Sequence, residues 1–249
     1  GSQVVGMGKA LADAFPVCRQ TFDEADAALG LPLSATIFHG PAERLTLTEI
    51  TQPAILTASV PAWRLLESRG WRPTIVAGHS LGEYSAHVAA GTFTFADAVR
   101  TVHHRGRYMQ EAVPVGSGAM AAVLGAEDAM VEEVCAGASG DGVVVPANYN
   151  SPGQIVIGGH AVAVDRAIEA LQAQGIRKIV KLPVSVPSHT PLMREAAERL
   201  RTAIESITWR MPDYAVIHNV DARAKHSIAE IQQALVEQLY LPVQWTQCT

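Results

Sequence analysis

The chain has 249 residues, a length that at roughly 150 residues per domain suggests one large domain or one domain carrying a smaller insert. Hydrophobic residues make up 48% and charged ones 17%, a composition that excludes a disordered chain and fits a compact globular one. Nineteen Lys and Arg against 24 Asp and Glu leave a formal net charge of -5, and without a basic stripe or aromatics interleaved with Arg, no nucleic acid is expected as a partner.

In chain order, the start at Gly1-Ser2-Gln3-Val4-Val5-Gly6 does not look like a natural terminus, and neither does the end at Cys248-Thr249, so a piece is expected to be missing at each end. Helical periodicity runs over residues 7–29, with apolar or small positions at Met7, Leu11, Ala14, Phe15, Phe22, Ala25 and Leu29. A second helix is expected over 53–69, closed by Gly70. Pro73-Thr74-Ile75-Val76-Ala77 reads as a buried strand, followed at once by Gly78-His79-Ser80-Leu81-Gly82-Glu83 and a helix from Tyr84 to Ala90. Residues 96–113 make a further helix, stopped by Pro114 and the flexible Gly116-Ser117-Gly118.

Beyond that hinge the pattern changes. Strands are expected at 118–124, 143–147, 154–158 and 176–182, with helices at 126–137 and 161–174. That order, β-α-β-β-α-β, is the ferredoxin-like one. The expected fold class is therefore α/β: a hydrolase-like body with a mostly parallel sheet, residues 1–115 and 184–249, carrying an inserted small subdomain at 116–183. A helix at 191–206, a strand at 214–218 and a helix at 227–239 return to the body. Nothing approaches the ~20 apolar residues that cross a bilayer, so no membrane association is expected. The scattered Cys18, Cys135 and Cys248 point to a reducing compartment and a cytoplasmic location.

Gly78-x-Ser80-x-Gly82 fits a nucleophile elbow, in which a strand turns so sharply into a helix that glycines are expected on both sides of the serine. By chance alone the pattern arises in roughly one chain in twelve of this length, so the flanking strand and helix carry the reading. The turn lifts the Ser80 hydroxyl from the sheet and aims the backbone N–H of Leu81 at a nascent oxyanion, at a helix N-terminus that favours negative charge.

A serine hydroxyl needs a base, and histidine is the usual one. Nine histidines compete. His79 adjoins the serine, but its side chain points away from the hydroxyl in an elbow. His103 and His104 diverge by ~100° on one helix, so solvated or capping roles are expected. His189 stands at the exit of an apolar run and before a helix opened by Pro191, an edge from which catalytic side chains project. Arg105 shares a helix face with Ala98, Val102, Met109 and Ala112, all within ~60°, whereas Arg100 and Arg107 lie on the other side. An inward guanidinium needs either an internal Asp or Glu or an anionic ligand.

Across Gly78-His79-Ser80-Leu81-Gly82-Glu83-Tyr84-Ser85-Ala86 the sequence resembles the malonyl-CoA:acyl carrier protein transacylases and the acyltransferase domains of polyketide synthases. The resemblance extends over essentially the whole chain, through Arg105-Gly106-Arg107-Tyr108-Met109-Gln110-Glu111-Ala112, Asn150-Ser151-Pro152-Gly153-Gln154, Val184-Ser185-Val186-Pro187-Ser188-His189 and the run from Gln238 to Trp245. It implies Ser80 as nucleophile, His189 as its base, Arg105 as partner of the malonyl carboxylate and Leu81 as an oxyanion N–H donor. It also implies that the Gln238 main-chain carbonyl steadies His189, a dyad without an acidic third member. The family's second oxyanion donor belongs to a GQGSQ motif, of which this chain begins at the Gly1-Ser2-Gln3 portion.

The implied reaction is ping-pong malonyl transfer from malonyl-CoA to the phosphopantetheine thiol of acyl carrier protein in fatty acid biosynthesis, with no cofactor beyond the coenzyme A thioester substrate and no metal. The alternatives are an α/β-hydrolase-type serine esterase, with Asp165 or Asp141 as acidic member, and an inactive carrier-protein docking module.

Overall fold

The computed structural model describes residues 2–114, 116–184 and 186–249. Gly1 at the chain start, Val115 at the expected edge of the body and Ser185 in the run before His189 lie outside the described residues.

Five helices come first: α1 (Lys9–Ala14), α2 (Pro16–Leu29), α3 (Leu33–His39), α4 (Ala42–Leu45) and α5 (Thr48–Ser68). The single helix expected over 7–29 is broken, because Phe15 adopts extended backbone (φ -132°, ψ 122°) ahead of Pro16, which opens α2. A proline excludes the residue before it from helical geometry and suits the first helical position, where no N–H is needed. Helices α3 and α4 were not anticipated, since four to seven residues hold too little of a period to read. α5 starts at Thr48, not at residue 53, and runs through Pro53 and Pro61.

A proline inside a helix removes the N–H that would bond the carbonyl four residues back. For Pro53 that carbonyl is Glu49, and the Nδ1 of His103 lies 2.9 Å from it and donates in the missing amide's place. His103 sits on α7 (Phe95–Ala112), which follows β1 (Ile75–Ala77) and α6 (Leu81–Ala89). α7 can come this near because residue 106 is glycine: a Cβ there would stand 2.5 Å from the Thr48 carbonyl oxygen and 2.7 Å from the Glu49 Cα.

The remaining elements are β2 (Gly118–Leu124), α8 (Asp128–Ala138), β3 (Val144–Ser151), β4 (Gln154–His160), α9 (Ala161–Ala173), β5 (Lys178–Lys181), α10 (Arg194–Glu205), β6 (Ala215–Ile217), α11 (Ile228–Glu237) and α12 (Trp245–Cys248). The expected order over 118–182 matches β2-α8-β3-β4-α9-β5, with shifts at the ends.

The chain divides into two compact units. The first comprises residues 1–107, 202–217 and 224–232; its sheet among the described residues is small and parallel, with Ile75 against Ala215 and Ala77 against Ile217. β1 was expected to be buried, yet Ile75 is 59% exposed. β1 pairs with β6 alone among the described residues, which leaves its other edge uncovered. The helical core of this unit includes Phe22 and Ala25 of α2 and Leu56 and Val60 of α5, with the Phe22 and Phe38 rings 4.7 Å apart.

The second unit comprises residues 108–201, 218–223 and 233–249. Its sheet is antiparallel, in the order β3-β4-β2-β5. Alternation along the strands gives one face Ala121, Val123, Ile155 and Ile157, which pack on Val131 and Cys135 of α8 and Val164 and Leu171 of α9. The other face carries Met120, Ala147 and Val156.

Candidate active site

In the first unit, β1 ends at Ala77, and only three residues separate it from the helix that begins at Leu81. Ser80 absorbs the turn with φ 52° and ψ -108°, a conformation costly to a residue with a Cβ. The tightness falls on one glycine. A Cβ on Gly78 would lie 2.0 Å from the carbonyl carbon and oxygen of Gly82, whereas one on Gly82 would meet nothing within 4 Å. The expectation of two sterically required glycines is corrected to one, because Gly78 is crossed by the first turn of α6 while Gly82 turns its hydrogen outward. The turn is closed by the Gly82 N–H to the His79 carbonyl at 2.9 Å and the Glu83 N–H to the Ser80 carbonyl at 3.1 Å. Leu81 is the first residue of α6, so its N–H belongs to the turn whose amides have no acceptor within the helix. His79 is exposed.

Arg105 comes to this elbow from α7. Ala98, Val102 and Met109 on its face are buried, Ala112 is half-buried, and Arg100 on the other side is exposed and paired with Asp97 at 2.7 Å. Arg105 is 2% exposed. Its Nη1 donates to Oε1 of the buried Gln52 at 2.6 Å, and its Nη2 donates to Ser80 Oγ at 3.2 Å. The guanidinium also lies 5.8 Å from the Tyr84 ring centre. Burial pulls the Arg105 pKa below the ordinary arginine value, while the nearby Tyr84 and Glu83 act against the shift by favouring the charged form. Gln52 was missed in the sequence. The available signal was an amide among apolar positions on α5, a pattern that also fits a helix-surface glutamine.

His189 belongs to the second unit and also has positive φ, 62°. Ser80, His189 and Ala222 are the non-glycine residues in that region among the described residues, so two of the three are candidate catalytic groups. Backbone strain of this kind persists where surrounding contacts over-determine it. For His189 those contacts are visible: its N–H bonds the Leu239 carbonyl at 2.9 Å, and its Nδ1 lies 2.6 Å from the Gln238 carbonyl oxygen. The 238–243 segment is itself sewn to β3, with Val243 N–H to the Ala147 carbonyl and Tyr149 N–H to the Val243 carbonyl, each 2.9 Å. A carbonyl oxygen only accepts, so Nδ1 carries a hydrogen, and in the uncharged form of an imidazole so held Nε2 is the acceptor nitrogen. His189 is 3% exposed. Of the acids considered for a third member, Asp165 is paired with Lys181 and Asp141 is exposed.

The structure thus assembles Ser80, Leu81, Arg105 and Gln52 within one unit, and His189 with the Gln238 carbonyl within the other.

Residues 1–247 match the family model described as acyl transferase domain. The malonyl CoA-acyl carrier protein transacylase of Salmonella typhimurium is 51% identical over 247 residues, which span 99% of this chain and 80% of that protein. The crystal structure of the malonyl-CoA:acyl carrier protein transacylase from Xanthomonas oryzae pv. oryzae is similar with a TM-score of 0.97 and 58% identity, covering 100% of this chain and 79% of that one. A second structure, a type II PKS acyl-carrier protein in complex with its malonyl-transacylase, is similar with a TM-score of 0.97 and 47% identity, over 99% of this chain and 80% of that one.

Proposed function

The chain belongs to the acyl transferase family, and from that membership we propose that Ser80 and His189 carry malonyl transfer through a malonyl ester on Ser80. The protein is an acyltransferase that moves the malonyl group from malonyl-CoA to acyl carrier protein, a reaction of fatty acid biosynthesis. The single observation that carries the assignment of residues is the buried Arg105 guanidinium 3.2 Å from Ser80 Oγ. On this reading the guanidinium is a carboxylate receptor beside an elbow serine, which suits a malonyl group.

His189 Nε2 takes the proton from Ser80 Oγ as the oxygen attacks the malonyl thioester carbonyl. The Leu81 N–H and the α6 N-terminus stabilise the oxyanion. On collapse the C–S bond breaks and coenzyme A leaves with the proton from His189. The phosphopantetheine thiol then gives its proton to His189, attacks the ester, and carries malonyl away as Ser80 is reprotonated. The Gln238 carbonyl holds the His189 tautomer throughout, a role supported by its 2.6 Å contact with Nδ1. The sequence of steps requires no metal or organic cofactor beyond the thioester.

We also read the larger body, 1–115 and 184–249, as hydrolase-like, and 116–183 as a ferredoxin-like insert, a reading supported by the spatial order β3-β4-β2-β5. A cytoplasmic location fits the three cysteines, none of which is in a disulfide. No helix among the described residues is long and apolar enough to cross a membrane.

Incubation with radiolabelled malonyl-CoA tests the reading. Stable label on Ser80 that is discharged by acyl carrier protein is expected. Rapid release of free malonate would make the protein a hydrolase, and absence of label would make it a docking module.

A further inference from the structure

The two hydrogen bonds of Arg105 differ in what they bind. Nη1 donates to Gln52 Oε1, a group with no part in the acyl transfer, while Nη2 donates to the oxygen that must attack. Arg105 and Gln52 are buried, at 2% and 6% exposure, so this arrangement is held away from bulk water. Arginine has no acceptor, so the 3.2 Å contact occupies a lone pair of Ser80 Oγ. A hydroxyl oxygen has two lone pairs, and donation from a cation to one of them draws electron density from the oxygen and so makes the other a poorer nucleophile toward the carbonyl carbon.

Resting on the reading of Ser80 as nucleophile, we propose that Arg105 is a latch on Ser80 that the carboxylate of the incoming acyl group releases. Gln52 is its fixed anchor at Nη1, and Nη2 exchanges the serine oxygen for a carboxylate oxygen. The exchange favours the carboxylate, because a hydrogen bond between two charged partners is about twice as strong as one to a neutral hydroxyl. An acyl group with a carboxylate two carbons from the reacting carbonyl oxygen's carbon reaches the guanidinium without moving it far, since that guanidinium already touches the attacking atom. An acyl group without a carboxylate offers Nη2 nothing in return, and Ser80 stays held. Selectivity for malonyl over acetyl then arises partly from suppression of the nucleophile when the wrong group is bound, in addition to direct attraction of the right one. Gln52 is a positioning residue in this scheme, acting through Arg105.

The test is the reactivity of Ser80 toward a neutral alkyl fluorophosphonate, which carries no carboxylate. In that reaction the Oγ–P bond forms, the P–F bond breaks, fluoride leaves and the hydroxyl proton passes to the base. Second-order rates are compared for the wild type, Arg105→Ala and Arg105→Lys, each confirmed folded by circular dichroism, with Ser80→Ala as the site control. The latch predicts that Arg105→Ala reacts about tenfold faster than the wild type, the effect of removing one hydrogen bond of ordinary strength. Arg105→Lys is expected between them, because a single ammonium cannot span Gln52 and Ser80 together. If Arg105→Ala fails to fold, the Lys variant alone decides by the same comparison. An equal or slower rate in the variants would overturn the latch and make Arg105 a stabiliser of the serine alkoxide. Equal labelling of Ser80→Ala and wild type would overturn the nucleophile reading, and the latch with it.

Discussion

On the proposed function, the surroundings of Arg105 turn one charge into a reader of substrate. It is held by Gln52 and faces Ser80, and the proposed function has it bind the carboxylate by which malonate differs from acetate. Arg105→Ala is expected to cost ~2–5 kcal/mol in kcat/KM for malonyl-CoA, the penalty of leaving a desolvated anion unpaired, while acetyl transfer is kept or gained. An equal fall for both substrates would reassign Arg105 to structure. The glycines flanking Ser80 make a second contrast at this scale. Gly78→Ala drives a Cβ to 2.0 Å from the Gly82 backbone and should cost about 3 kcal/mol or more, lowering Tm sharply. Gly82→Ala enters open space in a helix, where alanine is the better residue, and should leave Tm unchanged or raised. Equal effects of the two substitutions in thermal melts would contradict this account of the elbow.

The pairing of α5 and α7 joins three sequence features that look unrelated along the chain: a proline within a helix, a histidine and a glycine. Pro53 leaves the Glu49 carbonyl without its helical donor, Gly106 brings α7 close, and His103 supplies the donor. The same approach of the two helices lets Gln52 and Arg105 meet. His103→Ala should therefore destabilise the fold by about 1 kcal/mol, the net value of one hydrogen bond. In a Pro53→Ala background, where an amide can bond Glu49 again, the same substitution should cost less. A double-mutant cycle in urea reads this as a coupling energy near 1 kcal/mol, and strict additivity would remove the proposed link. In the second unit the 238–243 segment does comparable work, carrying backbone order from β3 to His189 through Val243 and Leu239.

At the scale of the whole molecule, stability should weaken as pH falls toward 5. Partial burial, then the charges of Arg107 and His103, hold the His104 pKa below its ordinary value. The unfolded chain then binds a proton near pH 6.5 that the folded one resists, so stability is full above that point and is lost as pH falls through the folded value. Tm measured from pH 7.5 to pH 5 should fall less steeply in His104→Gln than in the wild type. Parallel curves would show that other groups govern the acid limb. Much of the architecture was legible in the sequence because its signals are local. The order β2-α8-β3-β4-α9-β5 follows from alternation, helical period and punctuating glycines, the elbow from five adjacent residues, and the inward aspect of Arg105 from 100° steps along α7. The short helices α3 and α4 and the exposure of Ile75 were not read, since each depends on too few residues or on what covers an edge, whereas the break at Phe15 was written in Pro16 and was missed. What tertiary structure alone decided is the partners: Gln52 for Arg105 across 53 positions, and the Glu49 carbonyl for His103 across 54. The Gln238 carbonyl, 49 positions from His189, was reached through resemblance and not through its residue type. The physical reason is common to these contacts. A backbone carbonyl is the same atom in every residue, and a glutamine amide on a helix has the same local pattern whether it faces water or a guanidinium, so only the folded chain distinguishes them.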